Sequence, residues 1–133
     1  MMQSPYLQEL RDEWFPHVTD NGLDRVIDLL QKASPLLIHG AFTRAVPMGC
    51  LATHIAWHHP RTCQWTMEAG IMWLSRVAGL NPATSQMIRA WDSSGPHDWK
   101  LRSELLAAFV EERERRQRRS PKRASEPREL MLV

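Results

Sequence analysis

The stretch TCQWTMEAGIMWLSRVAGL, residues 62–80, is apolar along two separate stripes at helical spacing. One stripe holds Trp65, Ala69, Met72 and Trp73, and the other holds Met67, Ile71, Leu74 and Ala78. A helix that is apolar on two faces normally packs between neighbouring helices. The stretch therefore predicts a central helix, with Gly79 at its C-terminal cap.

Helix-start and helix-stop signals lie upstream of this stretch. Ser4–Pro5 predicts the start of a first helix, because proline is favoured at the first helical position. Residues 23–33, LDRVIDLLQKA, form an amphipathic pattern that ends at Ser34–Pro35. Pro47 predicts the start of another helix, which Pro60 stops. Residues 35–47, PLLIHGAFTRAVP, lie between these two predicted helices and fit a short helix or an extended loop.

Two more helices are predicted downstream. Asn81–Pro82 predicts the start of one, PATSQMIRAWD, and the last begins near Asp98 with Trp99, Leu106 and Val110 on its apolar face. Its continuation, EERERRQRR, carries glutamate–arginine pairs four residues apart, which favour a solvated helix. No long alternating run predicts a strand. We expect an all-α, compact bundle of about five or six helices with a flexible basic C-terminal tail. The expected division is a helical domain at 1–112 and a basic helix extension with a disordered tail at 113–133.

Composition restricts the function classes. The chain has 133 residues, a formal net charge of +2 and two cysteines, which is not a disulfide framework. No signal peptide and no run of about eighteen apolar residues is present, so we expect a cytoplasmic protein that makes no membrane contact. A phosphate loop, a nucleophile elbow and a convincing acid–base pair are all lacking, so a non-enzymatic role is favoured.

The stretch GCLATHIAWHHPRTC, residues 49–63, contains both cysteines and three histidines. On a helix, residues four apart share a face, and thiolate and imidazole are ligands for zinc and other transition metals. The candidate metal ligands are Cys50, His54, His58, Cys63 and Glu68. The spacing is not that of a zinc knuckle, and three ligands would spread over two turns. A buried histidine hydrogen-bonded to a carbonyl or carboxylate group is the favoured interpretation, and no cofactor is then expected.

Residues 66–91 resemble a helix-turn-helix, with a glycine turn between two helical patterns. The second helix would turn Thr84, Gln86 and Arg89 outward, where they could contact DNA. An arginine-rich run follows at the end of the chain and could add phosphate contacts. The candidate nucleic-acid-binding residues are Thr84, Gln86, Arg89, Arg113, Arg115, Arg116, Arg118, Arg119, Lys122 and Arg123.

These two signals point in the same direction, so the leading hypothesis is a small regulatory helical protein that contacts nucleic acid. One alternative is a protein-interaction or homodimerisation module that uses the tryptophans. A second alternative is a metal-binding helical domain. The remaining histidines, His17, His39 and His97, are interpreted as surface or loop residues.

Overall fold

The computed structural model describes residues 4–95 and 97–119 and shows a mostly helical chain. The elements in chain order are α1 (Pro5–Glu9), α2 (Asp20–Lys32), β1 (Thr43–Ala45), β2 (Met48–Gly49), α3 (Leu51–Trp57), α4 (Ala69–Met72), α5 (Gln86–Ser94) and α6 (Trp99–Arg119). The first helix continues as a π-helical turn over Leu10–Trp14 and a 3-10 turn over Phe15–His17, and α4 continues as a π-helical turn over Trp73–Val77. Within the described ranges, no helix combines the length and the apolarity needed to cross a bilayer.

The helix α2 forms where the amphipathic pattern predicts one, but it begins at Asp20, three residues before the predicted start at Leu23. Thr19 caps its N-terminus by accepting a hydrogen bond from the Gly22 amide at 3.1 Å. Its wide apolar face is buried, and Ala33 ends the helix in the left-handed conformation with φ 48°. The stop predicted at Ser34–Pro35 is therefore confirmed.

The centre of the fold is α3, and this corrects the prediction of a central helix over residues 62–80. All six residues from 51 to 56 are buried, and α3 packs on both α2 and α4. The polar Thr53 is accommodated because its hydroxyl donates to the Phe42 carbonyl at 2.7 Å. Gly70 of α4 crosses α3 here: an added Cβ would lie 2.5 Å from the Thr53 hydroxyl oxygen.

Residues 62–68 are turns rather than the first half of a helix. The Thr62 hydroxyl donates to the Ala56 carbonyl at 2.8 Å, and the Trp57 indole donates to the Thr66 carbonyl at 3.1 Å. Such side-chain bonds offer the backbone an alternative to the helical ladder. The helix therefore begins at Ala69 and ends as predicted near Gly79, whose φ is +72°.

A small hairpin replaces the start of the helix predicted at Pro47, so the expectation of a chain without strands is wrong. The strands β1 and β2 pair antiparallel, with Thr43 opposite Gly49 and Ala45 opposite Met48. The Gly49 amide also donates to the Leu36 carbonyl at 3.0 Å. Strands this short cannot show the alternation by which a sequence reveals a strand.

The two C-terminal helices differ from prediction at their starts. Asn81 forms a side-chain turn that accepts from the Ala83 amide at 2.9 Å, so α5 begins only at Gln86, capped by Ser85. In α6, the buried side chains are Leu101, Leu105, Ala108, Phe109 and Glu112. Trp99, predicted on the apolar face, is 70% exposed. The helix passes residue 112 without a break and reaches Arg119, and the predicted tail from Ser120 onward lies outside the described residues.

Candidate anion-binding pocket

Four basic side chains from three parts of the chain line one pocket of about 350 Å³. His39 lies in the loop after α2, and Arg44 is the middle residue of β1. His97 lies in the turn before α6, and Arg102 lies in the first turns of α6. Among the described residues that line the pocket, none is acidic. The pocket therefore presents cationic donors to whatever enters it.

The rest of the lining is largely apolar and held by the core. Leu37 and Ile38 are buried, and Pro35 and Met48 complete the apolar surface. The buried Trp91 indole donates to the Ile38 carbonyl at 2.7 Å, and the Ile38 amide donates to the Gly49 carbonyl at 3.0 Å. The core therefore fixes the position of the apolar side of the pocket.

His39 is held against α5 by two contacts. Its Nδ1 lies 3.3 Å from the Asp92 carbonyl oxygen, and the neighbouring Gly40 amide donates to the Asp92 carboxylate at 3.0 Å. The imidazole lies directly over Gly95, where an added Cβ would approach three of its ring atoms to 2.9 Å. Gly95 also has a φ of +76°, so glycine is needed there on both counts.

A second pocket, of about 300 Å³, differs in charge balance. Arg11 and Arg115 line it together with acidic residues. Arg11 pairs with Glu111 at 3.5 Å, and Arg115 pairs with Glu112 at 2.6 Å. Its cations are therefore neutralised by carboxylates that line the same pocket, whereas no described residue lining the basic pocket is acidic.

The helix-turn-helix residues are exposed but do not form the expected unit. Thr84, Gln86 and Arg89 are all exposed, and Thr84 lies in the turn before α5. The helix α5 packs mainly on α1, whereas a helix-turn-helix requires its two helices to pack on each other. The Glu9 carboxylate of α1 accepts from the Gln86 amide at 2.7 Å and so occupies the N-terminus of α5.

Three of the candidate arginines of α6 are engaged in ion pairs within the fold. Arg113 lies 3.8 Å from Asp24, and both Arg115 and Arg116 bond to the buried Glu112. Arg116 also donates to the Asp20 carboxylate and to the Phe15 carbonyl, both at 2.8 Å. Arg118 and Arg119 are exposed at the end of the helix, and Lys122 and Arg123 lie outside the described residues.

The candidate metal ligands do not converge. Across residues 4–95 and 97–119, no three His, Cys, Asp or Glu side chains are placed to hold a metal ion. Cys50 and His54 are buried, whereas His58, Cys63 and Glu68 are exposed. A helix begins only after Cys50, so the expected helical stripe is interrupted at its first member.

Local hydrogen bonds account for the buried members of that stretch. The His54 Nε2 donates to the Leu36 carbonyl at 2.9 Å, and the Cys50 sulfur lies 3.6 Å from the Thr53 hydroxyl. Burial lowers the pKa of His54 to about 4 and raises the pKa of the Cys50 thiol. The favoured interpretation, a buried histidine satisfied by a carbonyl group, is confirmed for His54.

No sequence pattern indicates the basic pocket. The prediction for His39 and His97 is a surface or loop position, and no motif contains Arg44 or Arg102. His39 and Arg102 are 63 positions apart in the chain, and the four residues share no short motif. Comparison of the chain with protein-family profiles, with curated proteins and with solved structures finds no significant match.

Proposed function

We propose that this chain is a nucleic-acid-binding protein that holds a backbone phosphate in the pocket formed by His39, Arg44, His97 and Arg102. The observation that carries the proposal is the convergence of these four basic side chains around one cavity whose described lining contains no carboxylate. Arginine presents a planar fork of donors that matches two phosphate oxygens at once.

The scaffold favours phosphate binding because the two arginines stand on two separate elements of secondary structure. Arg44 lies in the hairpin and Arg102 lies in the first turns of α6. Neither residue needs to order a long loop when a ligand arrives, so little conformational entropy is lost on binding. Imidazoles beside them can donate further hydrogen bonds to the same phosphate.

Additional basic residues along α6 support a polyanion rather than a lone phosphate. Lys100 is exposed near the pocket end of the helix, and Arg118 and Arg119 are exposed at the other end. Each phosphate that a protein cation neutralises releases counterions and adds affinity. The basic run predicted from sequence would then add affinity to a contact that the pocket positions.

The proposal is tested by fluorescence anisotropy with a labelled 20-nucleotide DNA, as single strand and as duplex, between 50 and 200 mM salt. We expect Arg44→Ala with Arg102→Ala to weaken binding at least tenfold, because bonds to charged groups contribute about 1.5–3 kcal/mol each. The slope of log affinity against log salt should shrink by roughly 1.5 for the two cations.

Arg76→Ala is the matched control, because Arg76 is an exposed arginine outside the lining of the pocket. It loses the same charge as each pocket substitution. Equal weakening by Arg76→Ala and by Arg44→Ala would show that only net charge matters and would reject the pocket. Circular dichroism of each variant confirms that the fold is retained.

A second candidate function is self-association, which one surface feature favours. Met67 lies in the turn before α4 and Ile71 lies within α4. They are 48% and 39% exposed, although both are large and apolar. Exposed apolar side chains of this kind often mark an interface. Sedimentation velocity tests it: Ile71→Lys should convert a dimer to a monomer, whereas a wild-type chain that sediments as a monomer would exclude this function.

A further inference from the structure

We infer that the nucleic acid bound at the basic pocket is single-stranded and that Trp99 stacks on an unpaired base beside the bound phosphate. This inference rests on the proposed function and goes one step beyond it, to the class of nucleic acid. It follows from the position of one exposed tryptophan relative to Arg102.

Trp99 differs from the other tryptophans in its exposure. Trp14, Trp73 and Trp91 are buried in the core, whereas the Trp99 side chain is 70% exposed. Tryptophan offers the largest apolar surface of any side chain, and leaving it in water forgoes the stabilisation that burial would give. An indole in this position is therefore a candidate contact surface for a ligand.

The backbone of Trp99 is fixed by the cap of α6. The Asp98 carboxylate accepts hydrogen bonds from the Lys100 and Leu101 amides, each at 3.1 Å. The Asp98 carbonyl also accepts from the Arg102 amide at 2.9 Å. Trp99 is the first residue of this capped helix, so its side chain projects from a rigid support.

The helix brings Trp99 and the pocket together. Trp99 precedes Arg102 by three residues, and residues three apart on a helix have Cβ atoms about 5–6 Å apart. It also follows His97, a second lining residue, by two positions. The Cβ atoms of Trp99 and Arg102 are thus close enough for one nucleotide to reach both side chains, with its base at the indole and its phosphate at the guanidinium group.

This arrangement selects for a single strand. In a duplex the faces of the bases are covered by stacking on their neighbours, and only the edges can be reached from the grooves. Single-strand binders combine cations that contact the backbone with aromatic side chains on which bases stack. The pocket supplies the cations and Trp99 supplies the aromatic face.

The experiment measures binding of a 12-nucleotide thymidine strand, and of the same strand paired with its complement, by fluorescence anisotropy. We expect Trp99→Ala to weaken single-strand binding about tenfold and to change duplex binding by less than about twofold. Trp99→Phe keeps an aromatic face and should stay within about threefold of the wild type. Gln64→Ala, at an exposed position outside the lining of the pocket, is the control and should leave both affinities unchanged.

The outcomes separate this inference from the proposed function. If Arg44→Ala and Arg102→Ala weaken binding while Trp99→Ala does not, the phosphate pocket stands and the stacking inference is wrong. Equal losses on single strand and duplex would also overturn the inference. If neither probe binds the wild-type protein, the proposed function itself fails. Sedimentation of Trp99→Ala as a monomer beside a dimeric wild type would assign Trp99 to an interface between copies instead.

Discussion

Replacing Glu9 should destabilise the protein strongly, because its carboxylate joins α1 to the start of α5. It accepts hydrogen bonds from the Ser85 hydroxyl at 2.5 Å, the Gln86 amide at 2.7 Å and the Met87 amide at 3.3 Å. It also accepts from the Trp14 indole at 2.9 Å. A carboxylate at a helix N-terminus is further stabilised by the helix dipole.

The magnitude follows from these four bonds. Glu9→Ala leaves the Nε1–H of buried Trp14 without this partner, which costs about 1–3 kcal/mol. Loss of the cap to α5 costs about 1 kcal/mol more, because water can replace part of it at the exposed end of the helix. We therefore expect the free energy of unfolding to fall by about 3 kcal/mol, a large share of the stability of a domain of this size.

Urea denaturation followed by circular dichroism measures this change. Glu9→Gln keeps the side-chain volume and one acceptor oxygen, so it should lose about half as much stability as Glu9→Ala. Glu13→Ala is the control: Glu13 is exposed in the following turn, and such substitutions usually stay within about 0.5 kcal/mol. A loss for Glu9→Ala no larger than that for Glu13→Ala would show that the Glu9 carboxylate does not stabilise the contact between α1 and α5.

Two further predictions concern ionised groups. Because burial holds the pKa of His54 at about 4, below its ordinary 6.5, only the unfolded chain takes up this proton between those pH values. His54 alone should therefore lower the free energy of unfolding by about 3 kcal/mol as the pH drops from 7 to 4. In urea titrations, the stability of His54→Gln should fall less over this range. An equal fall in the variant and the wild type would contradict the lowered pKa of His54. Arg116→Ala should cost about 2 kcal/mol, because the buried Glu112 loses one charged partner and keeps Arg115. Arg118→Ala, at an exposed position, should change stability by less than about 0.5 kcal/mol. Equal losses for Arg116→Ala and Arg118→Ala in thermal melts would show that the bonds of Arg116 do not stabilise the fold.

The sequence predicted helices where capping signals and a single apolar face coincide. The helix α2 has a continuous apolar face and a clear stop after Lys32, and only its start, which Thr19 caps three residues early, was not predicted. The glycine turn at Gly79 was also predicted, because a residue with positive φ commonly ends a helix. Such features depend on neighbours along the chain, so a pattern of spacing is enough to reveal them.

The errors arose where tertiary contacts override local pattern. Residues 62–68 have a helical pattern, yet the hydroxyl of Thr62 bonds to α3 and the segment forms turns. Trp99 matched an apolar face by spacing, but the buried side of α6 is set by packing on α2 and lies elsewhere. The start of α5 moved to Gln86 because Glu9, far away in sequence, completes its cap.

The basic pocket could not be predicted for a related reason. Arg44 lies in a hairpin too short to be recognised, and His39 reaches the site only because the loop after α2 turns back onto α5. Part of the arginine run predicted to bind nucleic acid forms ion pairs and hydrogen bonds within the fold. Arg116, for example, bonds to Glu112, Asp20 and the Phe15 carbonyl. Charge counted along a sequence does not distinguish cations that face solvent from cations that stabilise a helix.

The binding of a phosphate in the basic pocket is tested most directly by the affinity of the Arg44→Ala, Arg102→Ala double variant for a single-stranded oligonucleotide. The affinity of Arg76→Ala is measured beside it at the same salt concentration. We predict at least a tenfold loss for the double variant and less than about a twofold change for Arg76→Ala, with both proteins folded. Wild-type affinity in the double variant would contradict the assignment of the pocket as the site that holds the phosphate.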